Sequence, residues 1–223
     1  MKRKAKILHN IYKSIVKILL NINYDFCVWK EESYPEGPKI FCSNHFSSSD
    51  VHFVSTLSHD PLHIVIGPGF SIKYVKNFLS WTEQIPALTY EDKKAVVQNA
   101  VKYLKNGDNV YIFPEGRLNT QEDLDIFRAG IARIYLAYPV PIIPIGLIAP
   151  KRRVRDKHSS AAKRKVTVVN KNYYANIGKA LYFKEEEEIA KTDPKLAENM
   201  ILDKLRKKIS FLIDDVKTNK FWS

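Results

Sequence analysis

The sequence predicts an α/β fold, a mixed sheet flanked by helices and preceded by an N-terminal amphipathic helix. Short β-rich runs alternate with helical segments between residues 39 and 148, which is typical of a sheet with helices on its faces. Apolar pairs recur every four residues in the first 22 positions, as in an amphipathic helix. The length of 223 residues and the 45% apolar composition suit one globular domain with its own core.

The N-terminal helix carries a broad apolar stripe, because a step of four residues turns by about 40° around the helix axis. The stripe consists of Ile7, Leu8, Ile11, Tyr12, Ile15, Val16, Leu19 and Leu20. The polar side carries Lys2, Arg3, Lys4, Lys6, Lys13 and Lys17. Such a helix can lie in a membrane interface, and the same stripe can equally pack on a protein core. We assign residues 1–30 to this helical, membrane-associated unit and residues 31–223 to a globular domain.

The other elements follow from apolar runs and their boundaries. Predicted strands are 39–43, 62–66, 84–88, 109–113, 142–148, 166–169 and 179–183. Predicted helices are 72–81, 93–105, 130–137 and 194–216. Residues 106 and 107 are Asn-Gly, a common helix C-cap, which ends the helix at 93–105. Strands and helices therefore alternate through the middle of the chain.

The net charge of +12 is concentrated at the two ends of the chain. Residues 1–30 carry seven Lys/Arg against one acid, residues 31–150 carry ten against thirteen, and residues 151–223 carry nineteen against ten. A duplex-binding domain more usually has a basic face through its folded core, so we expect no nucleic-acid partner. Basic flanks fit docking on an anionic membrane, at roughly 1 kcal/mol per basic residue near the headgroups. We expect a peripheral membrane protein on the cytoplasmic side.

Cysteine and histidine patterns predict neither a disulfide framework nor a metal site. Cys27 and Cys42 lie in no C-x-x-C pattern, which favours a reducing compartment. Four histidines between residues 45 and 63 are spaced by seven, seven and four residues, which matches no zinc-ligand pattern. We expect no bound metal and no cofactor.

The first candidate for chemistry is His45 with Asp50. Five residues correspond to about 500°, so the two cannot share a face of a regular helix. They can meet if a strand ends at Asn44 and the chain turns through 46–49 into a helix that Asp50 helps to begin. Asp50 would then hold one imidazole nitrogen and leave the other free to accept a proton. A capped helix with an incidental histidine explains the same residues.

The second candidate is the run Phe113-Pro114-Glu115-Gly116-Arg117. It follows a strand, at the carboxyl end where α/β proteins bind ligands. Gly116 permits a tight turn, and Arg117 offers a planar fork of donors suited to a phosphate. An ordinary surface ion pair in a turn is the alternative interpretation.

These motifs, in this order, resemble the glycerophosphate and lysophospholipid acyltransferase family (1-acylglycerol-3-phosphate acyltransferase-like). The matching runs are N-H-x4-D at 44–50, F-P-E-G-R at 113–117, F-R-A-G at 127–130 and V-P-I-I-P at 140–144. The resemblance implies an O-acyltransferase of phospholipid biosynthesis that moves a fatty acyl group to a lysophospholipid hydroxyl. It implies acyl-CoA or acyl-carrier protein as the donor. It also implies that His45 is the general base, that Asp50 orients it, and that Phe113, Pro114, Glu115, Gly116 and Arg117 bind the acceptor.

The sequence departs from the family pattern in two places. The arginine of the F-P-E-G run directly follows the glycine, as in bacterial acyltransferases that act on lysophosphatidylethanolamine. Thr89 stands where an arginine is expected, and Lys93 or Lys94 could supply that charge. Two alternatives therefore stay open, an acyltransferase with another acceptor (an ornithine-lipid or lipid A type) and a catalytically degenerate basic module that binds membrane or RNA.

Overall fold

The computed structural model describes residues 1–23, 26–119, 123–148 and 173–220. Its α-helices are α1 (Arg3–Asn23), α2 (Asp50–Val54), α3 (Lys73–Trp81), α4 (Tyr90–Lys105), α5 (Gly130–Ala137), α6 (Lys184–Ile189) and α7 (Pro194–Asp215). Its strands are β1 (Phe26–Lys30), β2 (Ile40–Ser43), β3 (Leu62–Ile66), β4 (Ile85–Pro86), β5 (Asn109–Ile112), β6 (Ile142–Ile148) and β7 (Tyr173–Ile177). A 3-10 turn at Pro68–Ser71 precedes α3, and a π-helical turn at Val216–Lys220 follows α7.

The seven strands form one sheet in the order β1-β7-β6-β2-β5-β3-β4. Five neighbouring pairs are parallel, and β6 with β7 is antiparallel. The predicted mixed sheet flanked by helices is therefore confirmed. Because β2 lies between β5 and β6 and runs parallel to both, the segments that follow β2 and β5 leave the same edge of the sheet side by side.

Apolar side chains fill both faces of the sheet. In β2, Ile40 and Cys42 belong to the core on the side of α4, α5 and α7, whereas Phe41 belongs to the core on the side of α1 and α2. Strands buried on both faces read as continuous apolar runs, because the alternation of polar and apolar residues disappears. Helix α7 packs tightly on the sheet at Gly146, where an added Cβ would lie 2.8 Å from backbone atoms of Leu212 and Ile213.

Helix α1 packs one face on the domain and leaves another open. Ala5, Val16 and Leu20 are buried, the last two within the core on the α2 side of the sheet. The opposite side exposes six large apolar residues, Ile7, Ile11, Ile15, Ile18, Leu19 and Ile22. Part of the stripe therefore packs on the core, and part of it is exposed. The described helices include none long and apolar enough to cross a membrane.

Several element boundaries differ from the sequence-based prediction. The boundary at residue 30 separates β1 from the domain, although β1 pairs with β7 as an edge strand of the sheet. The predicted strand 179–183 is a single bridge between Leu181 and Ile142, while β7 itself was not predicted. Helix α4 begins at Tyr90 because Thr89 caps it. The predicted strand 166–169 lies outside the described residues.

Candidate active site

His45 and Asp50 meet where β2 turns into α2. The His45 Nδ1 atom lies 3.1 Å from Oδ2 of Asp50. The same oxygen accepts the backbone N–H groups of Phe46 and Ser47, each at 2.8 Å. Asp50 is fully buried, whereas the His45 side chain keeps 14% of its surface exposed. No described residue hydrogen bonds to Nε2 of His45, so this nitrogen is available to accept a proton from a substrate.

Asn44 fixes the start of this turn. Its side-chain amide donates to the carbonyl oxygen of Leu147 (2.9 Å), and its side-chain oxygen accepts the N–H of Leu147 (2.8 Å). The buried Asn44 side chain thus extends the pairing of β2 with β6 beyond the end of β2. The sequence included Asn44 in the motif without a role; its role is to hold the His45 turn against β6.

Phe113 and Pro114 form the wall beside the imidazole. The Phe113 ring stacks on His45, with ring centroids 3.9 Å apart and planes 19° from parallel. Pro114 is buried, and its carbonyl oxygen accepts the backbone N–H of Arg128 at 2.8 Å. Phe113 therefore restrains the plane of the His45 ring. Contact of Phe113 or Pro114 with a substrate stays a prediction.

The buried Glu115 side chain connects the segment of His45 with the segment of Asp125. Its carboxylate is fully buried; Oε1 accepts the N–H of His45 (2.9 Å) and Oε2 accepts the N–H of Asp125 (3.1 Å). Burial raises the pKa of Glu115, and these hydrogen bonds oppose the rise. The side chain thus ties the His45 turn to residues 123–128. Its predicted contact with the acceptor stays a prediction.

Gly116 and two arginines make up the outer part of the loop. Gly116 has a φ of +67°, and an added Cβ would lie 2.9 Å from Cδ of Arg128, so glycine suits both the backbone and its neighbour. The Arg117 side chain is 65% exposed, and its Nη2 lies 2.6 Å from Oδ2 of Asp125. Arg128 is exposed and donates from Nε to the carbonyl oxygen of Glu115 at 3.3 Å.

Arg128 was not among the predicted site residues. The only signal for it in the sequence was its place in the F-R-A-G run. Arg128 and His45 bond to the backbone carbonyl and the side chain of the same residue, Glu115. The structure therefore brings a second arginine to the predicted phosphate loop.

The Thr89 departure has a structural explanation. Thr89 and Asp92 form a capping box at the start of α4, with hydrogen bonds of 3.1 and 2.9 Å. Two strands separate β4, which precedes α4, from β2, which precedes His45; at a strand spacing of about 4.8 Å, β4 and β2 lie about 14 Å apart across the sheet. Nearby, Lys94 pairs with Glu91 at 3.9 Å. A role of Lys93 or Lys94 at the site stays a prediction.

A second histidine–aspartate pair lies inside the protein. Nδ1 of His63 bonds the carbonyl oxygen of Glu83 (2.6 Å), and Nε2 lies 3.4 Å from Asp108. His63 is fully buried and stacks on Tyr103, so both ring nitrogens face the protein. Within the described ranges, no three His, Cys, Asp or Glu side chains are grouped to hold a metal ion.

Comparison with known proteins identifies the family and the fold. The family model described as Acyltransferase matches residues 25–148, which is more than half of the chain. No curated protein matches it in sequence. Among solved structures, the 1-acyl-sn-glycerophosphate (LPA) acyltransferase PlsC from Thermotoga maritima is similar, with a TM-score of 0.68 and 16% identity over 93% of this chain and 80% of that one. The shared fold and the family match establish that this chain is an enzyme of the acyltransferase family.

Proposed function

We propose that the chain is a lysophospholipid O-acyltransferase. It moves a fatty acyl group from acyl-CoA or acyl-carrier protein to the free hydroxyl of 1-acylglycerol-3-phosphate or a similar lysophospholipid. The observation that carries the proposal is the His45–Asp50 pair, held at 3.1 Å beside a loop with two exposed arginines. The similar Thermotoga maritima protein is described as acting on such a phosphate ester.

The proposed reaction needs no protein nucleophile. The acceptor oxygen bonds to the thioester carbonyl carbon while its proton passes to Nε2 of His45. Collapse of the tetrahedral intermediate breaks the carbon–sulfur bond, and the imidazolium returns the proton to the departing thiolate. Asp50 stabilises the imidazolium between these steps, and Phe113 keeps the ring in plane. Cys42 is fully buried and its pKa is raised by burial, so it supplies no thiolate.

The loop arginines would position the acceptor. A phosphate bound by Arg117 and Arg128 is held on the outer side of Glu115, and Glu115 also fixes the backbone of His45. Holding a hydroxyl near its base can contribute several kcal/mol to the rate. The arrangement thus supports an acceptor with a phosphate at one end and the reactive hydroxyl a short distance away.

The direct test is transfer by the purified protein. A panel of lysophospholipids, an ornithine-lipid precursor and a lipid A precursor is incubated with labelled acyl-CoA or acyl-carrier protein, and the labelled lipids are identified. His45→Ala should abolish the transfer, while His59→Ala, at an exposed histidine, serves as the matched control. If only an ornithine lipid or a lipid A precursor gained label, the acceptor would be that lipid and not a lysophospholipid. Salt-dependent nucleic-acid binding without transfer, or normal turnover in His45→Ala, would refute the proposal.

We also propose that α1 docks the enzyme on the cytoplasmic face of a membrane. Its open side carries six Ile and Leu residues that are 51% to 74% exposed. Lys6 and Lys17 are exposed on the adjoining side of the helix, whereas Lys13 donates to the backbone carbonyl oxygens of Ser58 and His59. An apolar stripe flanked by lysines favours insertion at an anionic interface.

Two substitutions on α1 separate docking from folding. Changing both Ile15 and Ile18 to Glu should lower binding to anionic vesicles by at least roughly tenfold, since each isoleucine contributes on the order of 1 kcal/mol or more when buried. Thermal stability should stay the same because both side chains are exposed. Asn10→Glu adds a negative charge on the polar side and is the control. Equal effects of the two changes would rule out insertion of the stripe.

A further inference from the structure

The arginine of the predicted phosphate loop already has an anionic partner. Nε and Nη2 of Arg117 lie 2.7 and 2.6 Å from the same carboxylate oxygen, Oδ2 of Asp125. The other oxygen, Oδ1, accepts the N–H of Ile126 at 2.7 Å. Arg117 lowers the pKa of Asp125, so this carboxylate is negative at neutral pH.

Asp125 is held in place through its backbone. Its N–H donates to Oε2 of the buried Glu115 at 3.1 Å. Arg206, which projects from α7, donates to the carbonyl oxygens of Leu124 (2.7 Å) and Asp125 (3.4 Å). An ion pair between flexible surface side chains otherwise loses much of its stabilisation, because ordering both side chains costs entropy. The negative charge is therefore a fixed part of the site.

The charges at this edge favour a singly charged ligand. Arg117 and Arg128 contribute two positive charges, and Asp125 cancels one. Of the side chains that bond to the Asp125 backbone, Arg206 carries a positive charge and Glu115 is a carboxylate. Glu115 lies beneath them with both oxygens bonded to backbone donors. A phosphomonoester carries about −1.5 to −2 charges at pH 7, whereas a phosphodiester carries one. The second charge of a phosphomonoester would face Asp125, while the next cation, Arg206, already donates to the carbonyl oxygens of Leu124 and Asp125.

We infer that Asp125 sets the charge of the acceptor, so that the site prefers a phosphodiester headgroup to a phosphomonoester. The inference rests on the proposed function, because it requires that the Arg117–Arg128 loop binds the acceptor phosphate. Asp125 acts by repulsion. It occupies Arg117 and disfavours the acceptor with the additional negative charge.

The test compares two acceptors in one assay. The readout is the ratio of kcat/KM for lysophosphatidic acid, a phosphomonoester, to kcat/KM for lysophosphatidylglycerol, a phosphodiester, in neutral detergent micelles. The native enzyme should favour the diester. Asp125→Asn should raise the monoester-to-diester ratio roughly three- to tenfold, as expected from one solvent-screened like charge near a partly exposed phosphate.

Two variants control for charge and for folding. Asp125→Glu keeps the negative charge and should leave the ratio within about twofold of the native value. Asp123→Asn removes an exposed charge two residues away and should leave the ratio unchanged. Asp123 has no arginine partner in the described part of the chain.

The native enzyme provides a second readout that needs no variant. The second ionisation of a phosphomonoester has a pKa of about 6. Lowering the pH from 7.5 to 6 should therefore raise the monoester-to-diester ratio, because the monoester loses its extra charge. A change of pH that alters His45 changes kcat/KM by the same factor for both acceptors, so it cancels in the ratio.

The outcomes separate the inference from the proposed function. Transfer to neither acceptor would refute the proposed function. Transfer to both, with a native preference for the monoester, would overturn only the inference. A ratio that moves equally in Asp125→Asn and Asp123→Asn, or that is independent of pH in the native enzyme, would overturn it as well.

Discussion

Replacing Asp50 by asparagine should test the electrostatic part of the proposed mechanism alone. Oδ2 of Asp50 accepts two backbone N–H groups in addition to the His45 ring. These two donors require an oxygen at that position, so the asparagine carbonyl should take the place of Oδ2. The His45 ring would then keep its hydrogen bond and its orientation. Only the negative charge beside the imidazolium would be lost.

The expected rate loss follows from the distance. Two unit charges about 4 Å apart interact by about 4 kcal/mol at an effective dielectric constant of about 20. Solvent reaches the partly exposed His45 ring, so we take about 2–4 kcal/mol as the loss in the transition state. The turnover number should therefore fall by roughly 30- to 1000-fold, since about 1.4 kcal/mol corresponds to a factor of ten. The acceptor KM should change little, because Asp50 is buried away from the arginines.

The same substitution has a modest cost in stability. Oδ1 of Asp50 is buried and has no hydrogen-bond partner. In Asp50→Asn the amide nitrogen occupies this place without an acceptor, which should cost about 1–3 kcal/mol. Asp50→Ala should cost more, because the N–H groups of Phe46 and Ser47 lose their acceptor.

The assay measures kcat, acceptor KM and the free energy of unfolding for both variants. Asp60→Asn, which removes an exposed carboxylate beside His59, is the control for loss of charge. A folded Asp50→Asn enzyme with kcat within threefold of the native value would refute the role given to Asp50.

Three further changes probe the scaffold. Asn44→Ala should lower the free energy of unfolding by about 2–4 kcal/mol, because two backbone groups of Leu147 lose their partners; a loss below 1 kcal/mol in urea unfolding would contradict this. Gly146→Ala should cost about 2 kcal/mol or more and shift α7, since its Cβ would lie 2.8 Å from the helix backbone; an unchanged melting temperature would disprove the close contact. Burial lowers the pKa of His9 to about 4, below its ordinary value of about 6.5. The unfolded chain therefore binds the extra proton first, and about 3 kcal/mol of stability present above pH 6.5 is lost as the pH falls towards 4. His9→Phe should flatten this slope, and a parallel slope in the variant would exclude His9 as its source.

The sequence predicted best the elements with dense apolar runs. Strands β3 and β6 and helix α5 have the predicted bounds, because their apolar runs end at turn residues. Strand β1 was missed since it is an edge strand with exposed positions such as Val28. In β7, Asn176 interrupts the apolar pattern; its amide bonds the carbonyl oxygen of Leu212 at 3.1 Å. That partner lies on α7, so it exists only when this helix packs on the sheet.

The site residues divide in the same way, into those that a local pattern predicts and those that depend on contacts with distant parts of the chain. The proximity of His45 and Asp50 could be reasoned from a short turn, as they are five residues apart. The roles of Asn44 and Glu115 depend on partners 103 and 70 residues away. Asp125 and Arg128 meet the phosphate loop through the course of a segment that no periodicity describes. Local patterns therefore predicted the His45–Asp50 pair, and tertiary contacts were needed for its surroundings.

The double attachment of Glu115 has a consequence for regioselectivity. One rigid carboxylate fixes the backbone of His45 at one oxygen and the Asp125 segment at the other. The distance between the proposed base, His45, and the proposed phosphate site is then fixed by the fold. In the proposed acceptor, a hydroxyl is acylated only if its number of bonds from the phosphorus matches that distance. Positional isomers of one lysolipid, identical in charge and chain, would thus differ in reactivity.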